Sequence, residues 1–138
     1  MLVASIFSRI VAGEIPAIKI YEDATTLAFL DINPASRGHT LVISKAEYAD
    51  LFEIPPEVLA SVHATVQMVA RTIRDLLTPD GLNIIQNNGA AAGQTIFHYH
   101  VHIIPRWEGD GALSLWAPGT ADLAELQALG AQLRAALE

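Results

Sequence analysis

The residues of this 138-residue chain best suited to chemistry lie in one run, Ile96-Phe-His-Tyr-His-Val-His-Ile-Ile-Pro105, which sets His98, His100 and His102 at alternate positions. Three of the chain's five histidines are there. Phe97, Tyr99, Val101, Ile103 and Ile104 are aromatic or β-branched, which predicts a strand over 96–104, and alternate side chains of a strand share a face. Three imidazoles in a row would span about 13 Å between their α-carbons. Such a row can be merely solvated or buried, it can donate a His-x-His pair to zinc, or it can lie along a phosphate chain. Zinc suits it less well, because the third ring continues along the same strand and no cysteine or nearby carboxylate completes a compact set.

The preceding loop, Gln86-Asn-Asn-Gly-Ala-Ala-Ala-Gly-Gln-Thr95, carries amide side chains and two glycines that permit close backbone approach. Alone it reads as a hairpin turn. Joined to a histidine-lined strand it reads as a phosphate or oxyanion cradle, with Gly93 giving access and Asn87, Gln94 and Thr95 supplying donors. The imidazoles would supply nucleophile, proton donor and positive charge.

The elements that must position these residues can be read from periodicity. Ile6, Phe7, Ile10 and Val11 recur at helical spacing between Ser5, a good N-cap, and Gly13. Strands are expected over 18–22, 26–31 and 39–44, then a long helix from Pro55-Pro56 with an apolar stripe of Leu59, Val62, Val66, Val69, Ile73 and Leu77. Further strands over 82–86 and 96–104 make an α+β domain: a five-stranded antiparallel sheet, a crossing helix and a short N-terminal helix. From about residue 120 a C-terminal helical extension carries Leu123, Leu126, Leu129, Leu133 and Leu137. No second domain or repeat is visible over 1–138. His63, on the long helix, reads as an ordinary surface or boundary histidine.

Composition narrows the classes. With 51% hydrophobic and 17% charged residues the chain can bury a core, and no apolar run reaches the roughly 18 residues of a bilayer span. The N-terminal residues lack the basic region of a signal peptide, so a cytoplasmic protein is expected. The absence of cysteine excludes disulfides and thiolate metal sites. A net charge of −7 argues against nucleic-acid and membrane partners, but not against a small anion held by amides and imidazoles.

The run His98-Tyr-His100-Val-His102-Ile-Ile104 resembles the signature of the histidine triad (HIT) family, three histidines separated and followed by apolar residues. Gly13-Glu-Ile-Pro-Ala17, Tyr21-Glu-Asp23, Ala28-Phe-Leu-Asp-Ile32, Gly38-His-Thr-Leu-Val-Ile43 and Gly93-Gln-Thr95 extend the likeness over about residues 5–107, and the chain is most similar to the Hint-like bacterial branch. The resemblance implies that His100 attacks the α-phosphorus of a purine nucleoside phosphoramidate or related nucleotidyl conjugate and forms a nucleotidyl-histidine intermediate that water hydrolyses. It implies that the backbone carbonyl of His39 holds the other N–H of His100, and that His98 and His102 bind phosphate oxygens. It assigns Asp31 to the ribose hydroxyls and Phe7, Ile10, Phe29 and Ile32 to the base, although Phe29 and Ile32 taken singly read as core. Many bacterial relatives hold a structural zinc with two cysteines, a histidine and the first triad histidine. The matching positions here are Ser5, Ser8, Glu47 and His98, so no metal and no cofactor are expected, and His98 should be a free member of the site. The resemblance also implies a homodimer, and Trp116-Ala-Pro-Gly119 loosely resembles a segment that approaches the partner's active site in the family. Dinucleoside polyphosphate hydrolysis and non-catalytic nucleotide-dependent regulation are the alternative functions.

Overall fold

A computed structural model describes residues 3–138. Helix α1 (Ile6–Val11) starts at Ser5, whose side chain accepts from the Ser8 N–H, and precedes strands β1 (Lys19–Glu22), β2 (Thr26–Leu30) and β3 (Thr40–Ser44). Helix α2 (Pro56–Leu77) crosses to β4 (Gly81–Ile85), β5 (His100–Arg106) follows, and α3 (Leu123–Leu137) ends the chain. All pairings are antiparallel in the order β1-β2-β3-β5-β4, so β5 inserts between β3 and the edge strand β4. The expected α+β architecture is the observed one.

Strand alternation divides the core in two. Ala28, Val42, Val101 and Ile103 face α2 and pack with Val62, Val66, Val69 and Ile73 of its stripe. Leu27, Phe29, Leu41 and Ile43 face the other way and pack with Phe7 and Ile10 of α1. His100 lies opposite Ile43 and His102 opposite Leu41 across the β3–β5 ladder, which puts both imidazoles on the face that α1 partly covers. β3 is therefore buried along its whole length, and so is most of β2.

One expectation changes. The strand predicted over 96–104 begins only at His100: Tyr99 donates its N–H to the Tyr48 carbonyl (2.7 Å) instead of joining a ladder, and His98 sits in a bend. The turn after α2 is made by Thr78, which adopts the left-handed conformation at φ 48°, while Gly81 opens β4. Helix α3 forms, capped by Asp122, but none of its leucines is buried. Its leucine spacing specified a helix without specifying a partner.

Gly38 shows how tightly the entry to β3 is made. Its φ is +90°, and a Cβ there would lie 2.6 Å from Leu77 Cδ1 and 3.3 Å from Pro105 Cγ. Glycine lets the end of α2 and strand β5 close onto the residue before His39.

Candidate active site

A cleft of about 430 Å³ opens between α1 and the sheet. Ile6, Phe7 and Ile10 of α1 form one wall, with Ile15, Pro16 and Ala17 from the following turn. Phe29, Asp31, Ile32 and Asn33 bound it at the end of β2, Asn87, Gly93, Thr95 and Ile96 come from the loop before β5, and His100 and His102 complete it. Eight of the expected residues therefore meet here: Phe7, Ile10, Phe29, Asp31, Ile32, Asn87, Gly93 and Thr95, together with the two β5 histidines. Phe29 is also core, so the two readings of it coincide. The Ile15-Pro16-Ala17 wall was not foreseen as part of the site, although it lies within one of the segments that carry the family resemblance.

His100 is nearly buried, and Phe7 packs edge-on against it at 5.0 Å between ring centres. Its Nδ1 lies 2.6 Å from the His98 carbonyl oxygen. A carbonyl can only accept, so Nδ1 carries the proton and Nε2 keeps its lone pair. Burial holds the ring's pKa below the ordinary histidine value, against the opposing pull of the carbonyl bond. The acceptor is thus not the His39 carbonyl, as expected; that oxygen takes the Asp31 N–H at 2.9 Å. The His98 carbonyl is available because the chain has not yet joined the ladder at that point.

The side chain of His39 has a different place. Its Nδ1 accepts from the Ala35 N–H at 3.0 Å, and its Nε2 lies 3.0 Å from His102 Nδ1 and 3.6 Å from Asp31 Oδ2. Burial lowers the pKa of His39, partly offset by Asp31. His102 is pushed down to about 4, by burial first and then by His100 and His39, with Asp31 opposing.

The structure corrects the assignment of His98 and Gln94. His98 is wholly buried and does not line the cleft. Its Nε2 donates to the Ser44 carbonyl at 2.6 Å, so its Nδ1 accepts from Ser5 Oγ at 2.7 Å. Ser8 Oγ and the Ser5 N–H both donate to Glu47 Oε1 at 2.7 Å, closing a polar clamp between α1, the segment after β3 and His98. Ser5, Ser8, Glu47 and His98, the positions the resemblance matches to a zinc site, do converge, but two hydroxyls are poor zinc donors, and the 2.7 Å contact with His98 Nδ1 is a hydrogen bond that a metal would have to break. These residues do not fit that metal. Gln94 is also buried: Oε1 accepts from the Gly89 N–H, and Nε2 donates to the Ala49 and Ile96 carbonyls. It shapes the loop and does not reach the cleft. His63 is exposed on α2, 2.9 Å from the Tyr99 hydroxyl and away from the cleft.

A histidine-lined cleft on one face of a five-stranded sheet defines the class, and comparison with known proteins gives the family. A family model described as the HIT domain matches residues 12–109. Protein hit of Bacillus subtilis (strain 168) is 49% identical over 112 residues, which are 80% of this chain and 77% of that protein. Adenosine 5'-monophosphoramidase hnt1 of Schizosaccharomyces pombe is 40% identical over 129 residues, 93% of this chain and 94% of its own. The crystal structure of SMU.412c from Streptococcus mutans UA159 superposes with a TM-score of 0.93 at 39% identity, covering 100% of this chain and 88% of that one. The chain belongs to the HIT family.

Four imidazoles, those of His39, His98, His100 and His102, have pKa values lowered by burial, so the fold holds them neutral. As pH falls below about 6.5 the unfolded chain takes up protons first, and stability should drop steadily until His102 itself titrates near 4. Denaturant midpoints measured from pH 8 to 4 are expected to be flat above 6.5 and to decline below it; a flat profile through that lower range would contradict the assignment.

Proposed function

We propose that this protein hydrolyses purine nucleoside phosphoramidates or related nucleotidyl conjugates at the α-phosphorus through a nucleotidyl intermediate on His100. The observation that carries the reading is the fixed tautomer of His100, with Nδ1–H tied to the His98 carbonyl and Nε2 left as a neutral nucleophile in a wall of the cleft. The Nε2–phosphorus bond forms as the bond from phosphorus to the leaving group breaks, and the electron pair goes with that group. Water then attacks phosphorus, the phosphorus–Nε2 bond breaks with its pair returning to Nε2, and the proton that water loses passes to solvent. The carbonyl of His98 stabilises the positive imidazole ring between the two displacements.

The same reading gives the other residues work. Asp31, whose Oδ1 already accepts from the Asn33 N–H at 2.8 Å, would accept from the ribose hydroxyls. Phe7, Ile10, Phe29 and Ile32 would sandwich the base, and Asn87, Thr95 and the Gly93 backbone would donate to phosphate oxygens. The name of the fission yeast relative supports a phosphoramidase among the family's activities. Replacing His100 with alanine should lower turnover of adenosine phosphoramidate at least about 10²-fold while nucleotide binding largely survives. Unchanged turnover would refute the reading.

The proposal includes a homodimer. A surface groove between α2 and β4, lined by Val66, Ala70, Leu82 and Ile84, and the exposed leucines of α3 and Trp116 are apolar surface suited to a second copy. Among the described residues no helix is long and apolar enough to cross a membrane, so that surface is not explained by a helical span. Light scattering should return the mass of two chains, and a monomeric mass at micromolar concentration would contradict this part.

A further inference from the structure

The HIT signature accounts for His100 and His102, but not for the chain of contacts that begins at the backbone of Ala35. Its N–H can only donate, so the His39 Nδ1 that it meets at 3.0 Å must accept and carries no proton. Neutral His39 therefore has its proton on Nε2, and it donates that proton to His102 Nδ1 at 3.0 Å. Because His102 Nδ1 accepts, its own proton is on Nε2. We propose that His39 is a positioning residue: its ring, oriented by the Ala35 amide, locks His102 in the tautomer that presents Nε2–H as a hydrogen-bond donor to the phosphoryl group.

Two consequences follow from the direction of these bonds. The first concerns cations. Asp31, His39 and His102 offer ligand atoms within 4.8 Å of one another, a spacing that a metal ion can use. Metal at His39 Nε2 would drive the ring proton to Nδ1, directly against the Ala35 N–H, so the set is built to fix protons and not to hold a cation. The second concerns the leaving group. Nε2–H of a neutral imidazole stabilises negative charge on phosphoryl oxygens, but if it surrendered its proton it would leave an imidazolate. His102 thus keeps its proton through the displacement. The conjugates served are those whose leaving group departs as a weakly basic anion or enters already protonated, as an amine on phosphorus can.

The consequence for substrates rests on the proposed function, whereas the tautomer itself does not, and the test separates them. Histidine ring nitrogens with and without a proton have well separated ¹⁵N shifts, so the ligand-free protein at pH 7 reports the tautomer without any assay. His102 should read as protonated at Nε2 and bare at Nδ1. His39→Gln places an amide N–H where His39 Nε2 was and should preserve that state. His39→Leu should leave a mixture of tautomers and lower kcat on adenosine phosphoramidate by about tenfold, less than the ~10²–10³ for loss of a whole oxyanion donor. KM should change less than kcat, and His39→Gln should recover most of the rate. A wild-type His102 protonated at Nδ1 would overturn the proposal, as would equal rate losses in both variants with the His102 tautomer unchanged. The expected shifts in a protein that turns over no nucleotide conjugate would leave the tautomer lock standing and remove the proposed function.

Discussion

The hydrogen bond from His100 Nδ1 to the His98 carbonyl is the contact on which the site depends, and the surrounding packing makes it possible. For that oxygen to stay in place, the bend before β5 must be rigid. The His98 ring is therefore pinned at both nitrogens, by Ser44 on β3 and by Ser5 at the start of α1. Tyr99 is pinned through its N–H to Tyr48 and its ring lies in the α2-side core. His98 thus does two jobs: its side chain ties α1 to the sheet, and its main chain sets the proton on His100. The same tie carries Phe7 and Ile10 into position as the apolar wall of the cleft and sets Phe7 edge-on to both His98 and His100. The cleft wall and the tautomer of His100 are consequently coupled through a single buried ring.

Burial also decides which protonation states are available. A solvated row of imidazoles would be partly charged near neutrality, and a protonated His100 has no lone pair with which to attack. Enclosure between α1, β3 and β5 disfavours the cation at each ring, and it makes the few donors that reach the cleft count for more than they would in water. The expected cost is a fold that loses stability in acid. Where the family resemblance implies a zinc tie for α1, this chain uses two hydroxyls and the Glu47 carboxylate, each donor and acceptor matched within the clamp.

Much of this was legible in the sequence because two periodicities are strong. Alternation placed His100 and His102 on one face, and the helical stripe from Leu59 to Leu77 located α2 and its buried side. The cleft residues Phe7, Ile10 and Asp31 came from the family resemblance, since composition alone cannot distinguish a cleft wall from core, whereas Asn87 and Thr95 came from the glycine-rich loop joined to the histidine strand. What was not legible depended on tertiary hydrogen bonds. Alternation counted His98 into the strand, but where β5 begins is set by its pairing with β3 and by the competing bond from Tyr99 to Tyr48. Gln94 looked like a ligand donor because amides in glycine-rich loops often are; here both its amide N–H donors and its oxygen are engaged with backbone groups. The α3 leucines specified a helix, yet an amphipathic pattern is silent about what covers it.

In the proposed reaction His100 Nε2 attacks phosphorus and the other two triad histidines do not. Mass spectrometry of protein quenched during turnover of a slowly hydrolysed adenosine phosphoramidate tests it most directly. One adenylyl group is expected on Nε2 of His100, formed and lost at rates compatible with turnover and absent from His100→Ala. An adduct on His98 or His102, or steady turnover with no protein-bound nucleotide at any time, would contradict it.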